Sequence, residues 1–312
     1  MREKLKQATE YLKYTRWGAL FVPLAVYILL LLSNLINTFA LNRSNALILV
    51  LVPLSLGAPA LLWVIIREKK RYIPSLKLNL PKKEHILPLL LSFLVLSTGT
   101  VLLEMLFSGQ NHVDYSMYNT FFIVRNRGFF GTLYTILAFA IIPTALEELI
   151  FRGILCAEFE RRGTLCATLL SSLFFSFTQF SFSKLPIYFF IGLVLAMMLY
   201  ATRSIICTVA LHIAYKIFAI FAQPVLVSIK DVSASPELFV FLVLIALVVS
   251  LILLALQLSK LYKAYSDEGA PREGARSIPL NRTAYSMLEG LLSPLSLCSL
   301  ALFLIAAIIF LI

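Results

Sequence analysis

The stretch PELFVFLVLIALVVSLILLALQLSK, residues 236–260, has no charged side chain between Glu237 and Lys260. At 1.5 Å per residue, a helix over 238–259 reaches about 33 Å, enough to cross a hydrocarbon core of about 30 Å. Outward from this run, eight more of similar character lie at about 17–36, 46–66, 86–107, 129–155, 165–183, 185–201, 204–222 and 291–312. With 236–259 they predict an all-α protein, a polytopic helical membrane bundle of about nine transmembrane helices. The fifth to seventh runs are separated by very few residues, and the short sixth admits a re-entrant reading. Composition agrees. Sixty per cent of the 312 residues are apolar and 14% charged, against roughly 45–50% and 25% in soluble domains. A soluble globule and a disordered chain are both excluded.

The net charge of +11 would suggest nucleic acid in a soluble protein. Here the basic residues sit between apolar runs, so no nucleic-acid partner is expected and the lipid bilayer is. Of 27 Lys and Arg residues, 21 fall in one alternate set of connections. That set is the N-terminal tail, the 67–85 loop, the connection after the fourth run with Arg152 included, Arg203, and 260–290. The other set holds Arg43, Arg125, Arg127, Lys184 and Lys230, and Lys216 lies within a run. Cytoplasmic loops retain basic residues, so the N-terminus is expected inside and the C-terminus outside, with Trp17 and Trp63 as interfacial anchors. The basic first sixteen residues precede a run too long for a signal-peptide core, which reads as a retained helix. The chain divides into a tail with three transmembrane helices (1–128), a central core (129–222), and a C-terminal transmembrane pair (223–312) joined by a polar, Gly/Pro-containing cytoplasmic linker at 260–290. Cys156, Cys166, Cys207 and Cys298 lack metal-ligand or redox spacing and read as core packing residues.

Ionisable side chains at membrane depth cost about 2.5–3.5 kcal/mol each on insertion scales, so each needs a partner, a wet cavity or a function. The candidates are Glu104, Glu147, Glu148, Arg152, His212 and Lys216, with Gln179 as a neutral companion. In PTALEELIFRG, residues 143–153, Glu148 and Arg152 are four apart and share a helical face, so they are expected to pair. Glu147 is turned about 100° away. Pro143 is expected to disturb the preceding turn, and the helical pattern extends toward Gly163. A plainer reading makes these charges the interfacial end of a helix. In FFSFTQF, residues 174–180, Phe175 and Gln179 are four apart, and Gln179 reads most simply as an interhelical hydrogen-bonding residue. In LHIAYKIF, residues 211–218, His212 and Lys216 share a face, and a carboxylate, most naturally Glu147, is expected beside them. Glu104 reads as a residue reaching for the outer surface.

The order EExxxR, then FxxxH, then HxxxN on successive membrane helices resembles the CPBP family, the CAAX proteases and bacteriocin-processing enzymes also called Abi proteins. Glu147, Glu148 and Arg152 match the first motif, Phe175 begins the second, and His212 begins the third. Gln179 stands where the second motif has His, and Lys216 where the third has Asn. The resemblance covers roughly 129–222. It implies a glutamate-type intramembrane endopeptidase acting on membrane-associated or prenylated peptides, in a multi-pass protein of the cell membrane, by resemblance a bacterial plasma membrane. It further implies Glu147 as the water-activating base, Glu148 and Arg152 as residues that shape the site, and His212 as an oxyanion donor. Gln179 and Lys216 fall on the same machinery. Two classes of function follow: a working protease, or a member that keeps the fold and serves as a membrane binding or regulatory protein, in immunity or envelope control. A proton pathway through Glu, His and Lys is a third, disfavoured by the lack of paired repeats. No HExxH is present, and neither metal nor other cofactor is implied.

Overall fold

The computed structural model describes residues 17–36, 45–107, 128–233, 235–267 and 280–311. The N-terminal tail, Arg43, Arg125, Arg127, Arg272 and Arg276 lie outside the described residues. Every regular element among those described is helical, and no sheet forms. An apolar chain in lipid must satisfy its backbone within itself, which a helix does. The elements are α1 (Phe21–Leu35, entered through a turn at Gly18–Leu20), α2 (Asn45–Ile66), α3 (Ile86–Phe107), α4 (Phe129–Arg162), α5 (Thr164–Phe177), α6 (Leu185–Thr202), α7 (Ile205–Phe221), α8 (Gln223–Val232), α9 (Pro236–Asp267), α10 (Leu280–Leu291) and α11 (Pro294–Leu311). Among the described residues, five helices are long and apolar enough to cross a membrane, or up to seven if the bent pairs around α7–α8 and α10–α11 each count as one span. Two shorter apolar helices, Val50–Ile66 and Thr164–Phe177, account for the remaining runs.

The chain reverses between α4 and α5 at Gly163, whose φ of 109° and ψ of 142° suit a residue without a Cβ. Helices α5 and α6 then approach until a Cβ on Gly192 would lie 2.8 Å from Ser172 Cα. Such contact between small residues is a main source of helix association where lipid is as apolar as the helices themselves. The core fills with aromatic side chains, and Phe151, Phe174, Phe175 and Phe180 are fully buried.

Charge pairs distinguish the two ends of the bundle. At one end the 67–85 segment crosses under α4 and α7. Arg67 Nη2 lies 2.7 Å from Glu158 Oε2, Lys77 Nζ 3.1 Å from Glu160 Oε1, and Lys77 O accepts from Ile205 N–H at 3.0 Å. Tyr72 donates to Ile154 O at 3.2 Å, and burial, followed by the Glu158 carboxylate, pushes its phenol up, so it remains a donor. The ends of α1, α9 and α10 reach the same region: Arg162 stacks 3.6 Å from the Trp17 ring centre, His85 meets Tyr265, and Gly290 abuts Trp17. At the other end, Lys184 Nζ lies 2.6 Å from Glu104 Oε1.

Several sequence expectations change here. Trp17 and Trp63 are buried rather than interfacial anchors, 5% and 0% exposed, because Phe159, Arg162 and Arg67 cover their rings. Glu104 forms an ion pair with Lys184, eighty positions away in sequence, instead of reaching alone for the surface. The presumed linker at 260–290 is helical at both ends, with α9 continuing to Asp267 and α10 starting at Leu280; residues 268–279 lie outside the described residues. Cys156, Cys166 and Cys207 are buried as expected of packing residues, whereas Cys298 is exposed on α11.

Candidate functional site

The α-helical stretch Ile142–Glu148 lies between two π-helical stretches, Ile136–Ile141 and Leu149–Leu155. Pro143, at the start of the central stretch, lacks an N–H, and the wider turns accommodate the interrupted bonding. Glu147 and Glu148 close that stretch and Arg152 occupies the second wide turn. All three are buried, at 0%, 0% and 1% exposure.

Glu148 and Arg152 are in contact, with Oε1 and Nη1 3.1 Å apart. Arg152 Nη2 donates to Gly192 O at 3.2 Å, and its guanidinium lies 4.5 Å from the centre of the Phe175 ring. A planar cation between a carboxylate, a carbonyl and an aromatic face has its charge met on several sides. Phe175 also meets the His212 ring edge to face at 5.6 Å.

His212 Nδ1 lies 2.7 Å from Glu148 Oε1. An ionised carboxylate only accepts, so Nδ1 carries the hydrogen and donates it. The expected partner of His212 was Glu147, but the close one is Glu148. The reason is geometric: Glu148 is the acid on the side of α4 that faces α7. Glu147 meets the other edge of the ring, with Oε2 3.9 Å from His212 Nε2 and 3.8 Å from Lys216 Nζ. Lys216 Nζ also lies 5.5 Å from the centre of the Tyr188 ring. These separations exceed direct hydrogen-bond length, and an oxygen lying to the side of each pair can contact both members.

Thus five of the residues singled out in the sequence, Glu147, Glu148, Arg152, His212 and Lys216, meet between α4 and α7. Gln179 makes no hydrogen bond to them. Helix α5 ends at Phe177, and residues 178–180 wind in i→i−3 turns into Phe180, whose φ is 48°. The four-residue spacing that would put Gln179 on the face of Phe175 is therefore lost. Its Nε2 donates to Thr178 Oγ1 at 3.3 Å, within its own turn. Sequence reading missed Tyr188, Gly192 and Thr144. Thr144 precedes Glu148 by four positions and so lies on the same face of α4; its hydroxyl is buried with no hydrogen-bond partner among the described residues. That spacing was its only available signal.

A family model described as type II CAAX prenyl endopeptidase Rce1-like matches residues 129–218. The chain carries an Rce1-like domain of the CPBP family. The match starts with α4 and ends two residues beyond Lys216, so it encloses every residue of the Glu148–His212–Glu147–Lys216 cluster. No curated protein and no solved structure matches the chain. Among the described residues, no group of three His, Cys, Asp or Glu side chains has metal-binding geometry.

Proposed function

We propose that the Rce1-like domain is a glutamate-type intramembrane endopeptidase for membrane-associated peptides, prenylated or unmodified, and that its turnover is slow. The observation that carries the reading is the pair of separations at Glu147 Oε2, 3.9 Å to His212 Nε2 and 3.8 Å to Lys216 Nζ. With Nδ1–H given to Glu148, Nε2 of the neutral ring presents a lone pair toward Glu147. A substrate water between them donates one hydrogen to Nε2 and one to Glu147, which leaves its oxygen lone pairs directed at a peptide carbonyl. As the C–O bond forms, Glu147 takes the proton. Lys216 stands beside the developing oxyanion, and Glu147 returns the proton to the leaving amine as the C–N bond breaks. The resemblance alone would make His212 an oxyanion donor; its geometry favours water orientation. Glu148, Arg152 and Phe175 hold the ring in place.

Two features slow the reaction. Lys216, 3.8 Å from Glu147 Oε2, competes with the water for that oxygen. Gln179 cannot share proton transfer, a contribution typically worth about 10² to 10⁴ in rate. The same two features favour a second reading, in which the site binds a membrane peptide without cutting it. Incubating lipid-reconstituted protein with prenylated and unmodified peptides, followed by mass spectrometry, decides between them. Slow cleavage that vanishes in Glu147→Gln and rises in Gln179→His with Lys216→Asn is expected. Retention of peptide without cleavage, in the parent and in that double variant alike, would establish the binding role instead. The arrangement in the membrane that accompanies this reading is nine traversals with the N-terminus cytoplasmic, in a bacterial plasma membrane.

A further inference from the structure

We propose that residues 78–86 are a docking surface for anionic lipid headgroups at the end of the bundle where the basic connections gather. This segment is not a loose loop. Leu78 forms a backbone bridge with Ser204, Asn79 Nδ2 donates to Arg203 O at 2.7 Å, and Ser204 Oγ donates to Asn79 O. Farther on, His85 is buried, its Nδ1 accepting from Lys82 N–H at 3.2 Å and its Nε2 2.8 Å from the Tyr265 hydroxyl. Lys77, whose φ is 52°, reaches Glu160, and Asn79 is tied to Arg203 O at the surface, while Leu78 and Leu80 are 52% and 79% exposed.

Two large apolar side chains fixed outward by their own backbone need an apolar neighbour. Lipid is that neighbour, because the exposed side chains Ile86, Leu87, Leu90 and Leu94 continue the same surface up α3, one of the helices able to span the membrane. Charge selects the lipid class. Lys82 and Lys83 are exposed beside the leucines, with Glu84 as the exposed acid among them, and Lys69, Lys70 and Arg71 are exposed earlier in the same segment. Apolar side chains at acyl depth flanked by cations at headgroup depth form an interfacial anchor for an anionic leaflet. The anchor depends on the membrane location and not on hydrolysis.

The test uses the full chain in nanodiscs of phosphatidylcholine with and without phosphatidylglycerol. A fluorophore on Leu80→Cys in a Cys298→Ser background should be quenched by a shallow nitroxide lipid, protected from aqueous iodide, and more so with phosphatidylglycerol present. Lys82→Gln with Lys83→Gln should weaken retention of phosphatidylglycerol, followed by native mass spectrometry, by about fivefold per lysine removed, and inorganic phosphate should not displace the lipid. Accessibility of the label to iodide in both lipid mixtures, or equal phosphatidylglycerol retention by parent and double variant, would overturn the proposal. So would protection from iodide without quenching by lipid, which would point to a second protein copy. The Leu80 readout is independent of peptide cleavage, so its failure leaves the proposed activity standing.

Discussion

Arg152 places a full positive charge among fully buried groups, and its carboxylate, carbonyl and aromatic neighbours come from three different helices. Removing it leaves the buried Glu148 beside the neutral His212 ring, and breaking a buried pair from one side costs about 3–5 kcal/mol. Arg152→Ala is therefore expected to lower folded yield and melting temperature sharply. Arg152→Lys, which keeps the charge but loses the planar fork, should fall between Ala and the parent. A parent-like thermal profile for Arg152→Ala would show that the pair is dispensable. Arg152, both glutamates, His212 and Lys216 were legible in the sequence because charge is expensive in an apolar run and the i, i+4 spacing names its partners. The turn that carries Gln179 was not legible, because the end of α5 has no Gly or Pro to mark it; the next proline is Pro186. Glu104 and Lys184 were each visible, but nothing local joins positions so far apart.

At the scale of elements, the site depends on how closely α5 and α6 pack. Gly192 supplies both the carbonyl that Arg152 binds and the missing Cβ that lets Ser172 approach. A methyl group there would meet backbone at 2.8 Å, which one helix must relieve by moving; such overpacking costs about 1–3 kcal/mol. Gly192→Ala should thus destabilise the protein by that amount and, by displacing the carbonyl from Arg152, reduce peptide cleavage further than an equally destabilising change far from the site. Gly163→Ala supplies the comparison: its cost of about 1–3 kcal/mol comes from backbone strain at φ 109°, at a reversal remote from Arg152. Equal cleavage per folded molecule in the two variants would separate α5–α6 packing from the chemistry. Of these features, the long α4 was foreseeable from its helical pattern. The π-helical turns within it were not, because a proline signals an interruption without specifying how the following turns absorb it.

For the molecule as a whole, the arrangement of charge bears on a question that helix length leaves open. Helix α5 has 14 residues, about 21 Å, short of the roughly 30 Å of a hydrocarbon core. Yet the chain on either side of it reaches opposite ends of the bundle. Before α5, Glu160 meets Lys77 and Arg162 meets Trp17; after it, Lys184 meets Glu104. Glu104 stands nineteen positions beyond His85 along α3, about 28 Å away. On the proposed arrangement of nine traversals, the turns at 178–184 would complete a crossing that α5 begins. Across the described residues, the 67–85 segment, Arg161–Arg162, Arg203, the end of α9 and the end of α10 share one end, as the uneven distribution of Lys and Arg requires if that end is cytoplasmic. Ser75 and Ser183, both exposed and on opposite sides of this boundary, provide the test. In intact cells carrying Cys298→Ser, an impermeant thiol reagent should label Ser183→Cys and leave Ser75→Cys unmodified until the membrane is opened. The reverse pattern would invert the protein while preserving the fold. Labelling of both from outside would show that α5 does not complete a crossing, and that the short turns after Phe177 form a re-entrant segment.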